Sequence, residues 1–228
     1  MRISEIFYSI QGEGRLVGVP SVFVRTSGCN LRCRWCDTPY TSWKPEGKTW
    51  SIKKILCEIA RYPTRHVVVT GGEPLLAPDI EDLTVQLKQR GAHITVETAA
   101  TIFKPLAGDL ISLSPKLANS TPWQRSRGEF AAMHEKRRLN YQVMQSFIDR
   151  YDYQLKFVVD RKKDLEEVRA VIGQLKNIDA SKVMLMAQGI RHEELVRKSQ
   201  WIVASCQQYG FSYTPRLHIQ LFGNRRGT

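Results

Sequence analysis

The chain has 228 residues, enough for one sizeable α/β domain. Its 42% apolar and 25% charged residues exclude a disordered chain, and no apolar run approaches the roughly 18–20 residues that span a bilayer. The net charge of +12 invites a polyanion, yet no helix-turn-helix, zinc-finger or aromatic RNA-binding signature accompanies it; no nucleic-acid partner is expected, and the charge reads as solvated surface or a site for an anionic partner.

In chain order, strand-like apolar runs occur at residues 3–9, 21–26, 66–70, 93–97, 110–114, 154–159, 182–187 and 216–222. Stretches with helical spacing of apolar residues separate many of them. Residues 51–61 open on Ser51 in N-cap position and set Ile52, Ile55, Leu56 and Ile59 on one face. Residues 78–90 begin with a proline suited to a first helical turn and stop at Gly91; residues 164–174 and 191–209 read as helices by the same tests, the second ending at Gly210. This alternation predicts a mostly parallel sheet with right-handed crossovers, either open and doubly wound or an incomplete (β/α) barrel. Residues 117–140 break the rhythm. They are polar, carry Trp123, and hold Arg125, Arg127, Lys136, Arg137 and Arg138, with Lys116 just before them. They read as a partly helical insertion or lid on a single domain spanning 1–228. The opening Met1-Arg2-Ile3-Ser4-Glu5 lacks the basic-then-apolar layout of a signal peptide, so the expected location is the cytoplasm.

Three of the five cysteines crowd into Cys29-x3-Cys33-x2-Cys36, which in a cytosolic chain favours metal over disulfides. Cys57 and Cys206 lie in helix-like stretches and are expected to be buried structural thiols. Three thiolates on so short a loop can embrace one [4Fe–4S] cubane and leave one iron open to chelate a small molecule. Zinc would call for a fourth ligand, and no histidine lies in the loop. The loop follows the run 21–26, at the strand edge where parallel α/β folds place their sites. A second signal, Thr70-Gly71-Gly72-Glu73-Pro74, follows the run 66–70, and its glycines allow close backbone approach to a ligand. Glu97-Thr98 and Ser114-Pro115-Lys116 end two further runs with polar groups; each alone is equally a loop start or helix cap.

The cysteine spacing, with Trp35 just before the last thiol, resembles the radical S-adenosylmethionine (SAM) superfamily. Gln11-Gly12-Glu13-Gly14, Gly18-Val19-Pro20, Arg25, Cys36-Asp37-Thr38 and the closing His218-Ile219-Gln220-Leu221-Phe222-Gly223-Asn224 narrow the resemblance to the 7-carboxy-7-deazaguanine synthase family, across residues 5–224. The resemblance implies an incomplete (β/α) barrel of the radical SAM type. It implies a lyase of the queuosine and 7-deazapurine pathway that turns 6-carboxy-5,6,7,8-tetrahydropterin into 7-carboxy-7-deazaguanine. It also implies a cluster on Cys29, Cys33 and Cys36, and Mg²⁺ on Thr38. Substrate contacts fall to Ile10, Gln11, Gly12, Glu13, Arg25, Thr70 and His218. SAM contacts fall to Trp35, Asp37, Gly72, Glu73, Glu97, Ser114, Pro115, Lys116 and Gln188. A flavodoxin or ferredoxin reductant and a homodimer complete the implied picture. The chain departs from the family pattern at Thr98-Ala99-Ala100 and Ala187-Gln188-Gly189. The competing readings are an activase for a glycyl-radical enzyme and a nonenzymatic metal- or nucleic-acid-binding module.

Overall fold

The computed structural model describes all 228 residues. Nine strands pair into one sheet: β1 (Arg2–Ile10), β2 (Pro20–Thr26), β3 (Lys48–Thr49), β4 (His66–Gly71), β5 (His93–Thr98), β6 (Leu110–Leu113), β7 (Tyr153–Val159), β8 (Val183–Ala187) and β9 (Ser212–Thr214). Their order is β3-β1-β2-β4-β5-β6-β7-β8-β9. β1 runs antiparallel to β2 and β3, and every pairing from β2 to β9 is parallel. The sheet does not close on itself, because its edges are β3 and β9. This is the expected α/β incomplete barrel.

Successive side chains of a strand point to opposite faces, and here the two faces have different fates. Val22 and Val24, Val67 and Val69, Ile94 and Val96, Leu155, Phe157 and Val159 join one buried apolar cluster with Ile55, Leu83, Phe147, Val168 and Ile202 from the helices. The alternate residues Phe23, Arg25, Val68, Thr70, Glu97, Lys156 and Val158 line a cavity on the other face. The helices are α1 (Pro39–Ser42), α2 (Ile52–Ile59), α3 (Ile80–Gln89), α4 (Ala131–Arg137), α5 (Tyr141–Ile148), α6 (Asp164–Gly173), α7 (His192–Tyr209) and α8 (Leu217–Phe222). Ser51 caps α2, its oxygen accepting from Lys54 N–H at 3.3 Å, and α7 ends at Gly210 with φ of 69°, a left-handed turn that suits glycine.

Four features differ from the sequence expectation. Residues 216–222 form α8 instead of a strand: their Leu217, Ile219, Leu221 alternation suits a strand, but only Ile219 is buried. Lying across the barrel opening with no strand to pair with, the segment satisfies its backbone internally as a helix. Cys57 is exposed, because the buried face of α2 is Ile55, Leu56 and Ile59; Cys206 is buried as expected. Helix α3 starts at Ile80, so Pro78 stands outside it. The short α1, β3 and β9, and α5, capped by Asn140, were not evident. Residues 117–140 contain α4 and short 3₁₀ turns, in keeping with a partly helical insertion.

Candidate active site

The three thiols stand where β2 ends. Leu31, Cys33 and Ala99 form a small buried cluster against which Cys29, Trp35 and Cys36 pack. All three cysteines line the mouth of a cavity of about 800 Å³ on the inner face of the sheet. Leu31 N–H donates to Cys29 Sγ at 3.4 Å, and Cys36 Sγ lies 3.2 Å from Ser42 Oγ, so the sulfurs already have polar company.

The Gly-Gly turn after β4 owes its composition to close packing. A Cβ on Gly72 would fall 2.3 Å from the Gly28 carbonyl oxygen and 2.8 Å from Cys29 Cβ. Gly71 adopts φ of 148°, and a Cβ there would strike Thr26. Gly72 N–H donates to the Thr26 carbonyl, which leaves the Gly72 carbonyl as the group suited to receive an ammonium. Glu73 does not face the cavity. Its buried carboxylate accepts from Thr98 Oγ1 at 2.8 Å, Ala99 N–H at 2.9 Å and Leu75 N–H at 3.3 Å, so it ties the ends of β4 and β5 together. Pro115 is likewise buried behind the wall, whereas Ser114 and Lys116 line it, with Lys116 Nζ donating to Ser114 Oγ at 2.8 Å.

Every other residue expected at the site lines this cavity: Ile10, Gln11, Gly12, Glu13, Arg25, Trp35, Asp37, Thr38, Thr70, Gly72, Glu97, Gln188 and His218. The segment after β1 crosses the open side of the sheet. Gly14 N–H donates to Thr214 Oγ1 at 2.7 Å, and the Gly12 carbonyl accepts from Leu217 N–H at 2.9 Å. Gly12 has no room for a side chain, since a Cβ would lie 2.0 Å from His218 Nδ1. Arg25 donates through Nε to Glu5 at 2.6 Å, and this is its one hydrogen bond within the chain; the remaining nitrogens of the guanidinium are left for a ligand. Glu5 also accepts from Tyr40 and from Arg226, at 2.8 and 3.2 Å.

Two residues of the wall were not evident from the sequence. Lys156, in the middle of fully buried β7, donates to Glu13 at 2.5 Å and to Glu97 at 3.0 Å. Arg216 joins Glu13, Asp37 and the Gly189 carbonyl. Burial alone would raise the Glu13 carboxyl, but Lys156 and Arg216 outweigh it and hold the group well below the usual carboxylate range. Burial likewise disfavours the Lys156 ammonium, and Glu13 and Glu97 overcome it, raising Lys156 above its ordinary value. His218 is lowered by burial, with Glu13 working against the shift, and is therefore neutral at pH 7. A lysine inside a mostly apolar strand was the one available signal for Lys156; Arg216 was masked by the strand reading of 216–222.

The donor set fits an iron–sulfur cluster. Burial pushes the Cys29 thiol up to about 12 and Cys33 higher still, so cationic metal is what would bring these thiolates into being. A cubane binds three thiolates through separate irons and leaves the fourth iron open, whereas a structural zinc site wants a fourth Cys or His ligand, which the loop lacks.

The description of the radical SAM superfamily matches residues 23–120. The chain is 48% identical to the 7-carboxy-7-deazaguanine synthase of Rhodopirellula baltica over 99% of its own length and 88% of that protein's. With the synthase of Halobacterium salinarum it shares 44% identity over 97% of this chain and 90% of that one. The crystal structure of QueE from Escherichia coli superposes with a TM-score of 0.71 at 24% identity, covering 95% of this chain and 94% of that chain, a likeness of fold. No helix is long and apolar enough to cross a membrane. With the three-cysteine loop, the Gly-Gly turn and the polar inner wall in one cavity, and relatives matched along nearly the whole chain, this protein belongs to the 7-carboxy-7-deazaguanine synthase family of radical SAM enzymes.

Proposed function

We propose that this lyase converts 6-carboxy-5,6,7,8-tetrahydropterin to 7-carboxy-7-deazaguanine, with the whole chain acting as one domain and residues 117–140 covering the cysteine loop. The observation that carries this reading is Arg25. Its unengaged guanidinium nitrogens face the same cavity as Gln11, Glu13 and the three cysteines. Bound SAM and the cluster on Cys29, Cys33 and Cys36 would supply a radical able to take the hydrogen atom at C6 of the pterin.

The chain's own residues bind, orient and shield. Arg25 suits the substrate carboxylate, because the planar fork offers paired donors that lysine cannot match. Gln11 and the Glu13 carboxylate suit the donor-rich aminopyrimidine edge, with Gly12 permitting close approach. Glu13 is held ionised by Lys156 and Arg216, so it accepts hydrogen bonds across the neutral pH range. Neutral His218 offers one donor and one acceptor, and Thr70 adds a hydroxyl. Thr38 Oγ1 suits a Mg²⁺ that keeps most of its waters and takes the substrate carboxylate as a further ligand. The Gly72 carbonyl, with Ser114, Lys116, Trp35 and Gln188, would hold SAM. Substrate and product differ by one molecule of ammonia, so the conversion is redox-neutral overall and SAM is regenerated. A flavodoxin or ferredoxin supplies the electron, and the family is typically homodimeric.

The test is an anaerobic reductive assay of cluster-loaded protein with SAM and the carboxytetrahydropterin, read by mass spectrometry. A deazaguanine carboxylate product is expected. Cleavage of SAM with no such product would overturn the substrate assignment.

A further inference from the structure

The reading above, on which this inference rests, places two guests in one cavity, the pterin against Gln11 and Glu13, and SAM against the cysteine loop and Gln188. One side chain touches the segments that hold both. Arg216 stands at the start of α8, and its neighbours in the chain are tied to the pterin segment. Thr214 Oγ1 accepts from Gly14 N–H at 2.7 Å, and Leu217 N–H donates to the Gly12 carbonyl at 2.9 Å. From there the Arg216 side chain, 7% exposed, reaches along the cavity wall. Its Nε donates to Glu13 at 3.2 Å, Nη1 to the Gly189 carbonyl at 2.6 Å, and Nη2 to Asp37.

Each arm ends beside a group that holds a guest in that reading. Glu13 faces the pterin, Gly189 follows Gln188, and Asp37 stands between Cys36 and Thr38. For the Asp37 carboxylate, Arg216 is the one hydrogen-bond partner within the chain. The other Glu13 oxygen is taken by Lys156 at 2.5 Å, and Lys156 reaches on to Glu97 at 3.0 Å. Charges therefore alternate in sign along the wall, from Glu97 through Lys156, Glu13 and Arg216 to Asp37. A guanidinium is planar and rigid, so its three nitrogens cannot be re-aimed one at a time. A donor edge that settles on Glu13 fixes the plane of Arg216, and that plane fixes Asp37 and the turn at 187–189.

We propose that Arg216 is a positioning residue that links occupancy of the pterin subsite to the placement of SAM and the cysteine loop. It acts through Glu13, Asp37 and the Gly189 carbonyl. Such a link is reciprocal: bound pterin strengthens SAM binding by the same factor as bound SAM strengthens pterin binding. With the link intact, SAM is cleaved where the C6 hydrogen stands within reach. With the link cut, cleavage proceeds beside a misplaced pterin. Each such abortive event consumes one electron of the reductant and one hydrogen atom that is not returned, and yields methionine and 5′-deoxyadenosine.

The test uses the full-length, cluster-loaded protein and two ratios, which a mere loss of folded protein leaves unmoved. One is 5′-deoxyadenosine formed per deazaguanine carboxylate under dithionite; the other is SAM affinity with and without the pterin, by calorimetry without reductant. In wild type the pterin is expected to tighten SAM binding about tenfold. Arg216→Gln should erase that gain and raise the 5′-deoxyadenosine ratio about tenfold or more. Arg216→Lys should restore neither, because an ammonium lacks the planar fork. Asp37→Asn, at a side chain 39% exposed, weakens the loop arm alone and should shift both ratios the same way, with no further change when it is combined with Arg216→Gln. Lost turnover with both ratios at wild-type values leaves Arg216 a structural clasp and overturns the proposal. So does an Asp37→Asn protein indistinguishable from wild type, or a wild type whose SAM affinity ignores the pterin it converts. A wild type that cleaves SAM but makes no deazaguanine marks instead the failure of the underlying reading. SAM affinity alone then judges the loop arm, supported when the double variant loses no more than Arg216→Gln and overturned when the losses add.

Discussion

Lys156 is the residue on which the polar wall depends. With its amine removed, the Glu13 and Glu97 carboxylates share a buried space and lose their common counter-charge. Lys156→Met is expected to lower the free energy of unfolding by about 3–5 kcal/mol, measured by urea denaturation at pH 7. The same linkage sets a pH window. The folded-state pKa of Glu13 is depressed, so its contribution is present above its unfolded value near 4.3 and lost as the pH falls below it. Lys156 is raised, so its contribution is complete below its unfolded value near 10.4 and lost as the pH climbs past it. Arg25 plays a different part. Arg25→Lys should raise KM for the pterin roughly 10–100-fold, the worth of a hydrogen bond to a charged group, while substrate-free SAM cleavage stays constant. Arg25 was legible in the sequence because it stands just ahead of a recognisable cysteine motif. Lys156 was not, because its importance comes from two carboxylates more than fifty positions away, brought beside it only by the sheet.

At the scale of elements, two junctions hold the cysteine loop in place. The turn after β4 passes so close to Gly28 that Gly72→Ala must push the strand end and the loop apart. The variant should reconstitute with markedly less iron than wild type, read by metal and sulfide analysis, while its far-UV circular dichroism is retained. The other junction is His134 of α4. Arg32 N–H can only donate, so Nδ1 of His134 is the acceptor at 3.1 Å, and Nε2 carries the proton toward Ser120 Oγ at 2.8 Å. Burial lowers this imidazole to about 4, with Arg138 and Lys116 adding to the shift and Glu135 opposing it. A depressed folded-state pKa means that stability present above about 6.5 is lost as the pH falls toward 4, up to about 3 kcal/mol in all. His134→Asn, which cannot titrate, should flatten that share of the urea midpoint between pH 6.5 and 5; His218 contributes a drop of the same sign, which persists. The existence of the insertion was plain from its composition. Its attachment was not, because a histidine among basic residues gives no sign of being fully buried.

Across the whole molecule, strand periodicity was the most readable signal, since β-branched residues in short runs marked every interior strand. The open side of the barrel was misread in β9 and α8, where neither element has neighbours on both sides to enforce a pattern; β3 at the other edge and α5 were missed as well. The main apolar cluster and the cavity occupy opposite faces of the sheet, and the cysteines pack in a separate small cluster. Stripping the iron should therefore leave secondary structure and the denaturant midpoint nearly unchanged. Amide exchange should rise in residues 28–38 and in the insertion, and exchange mass spectrometry can locate it; global unfolding on chelation would contradict this division. Arg216 shows what such a division demands. It clasps residues 13, 37 and 189, so the wall of the cavity is complete only when residue 216 has been made and folded against segments that precede it by as many as 203 positions. A nascent or broken chain holds its thiols without that clasp, and the capacity for radical chemistry arrives together with the enclosure that contains it.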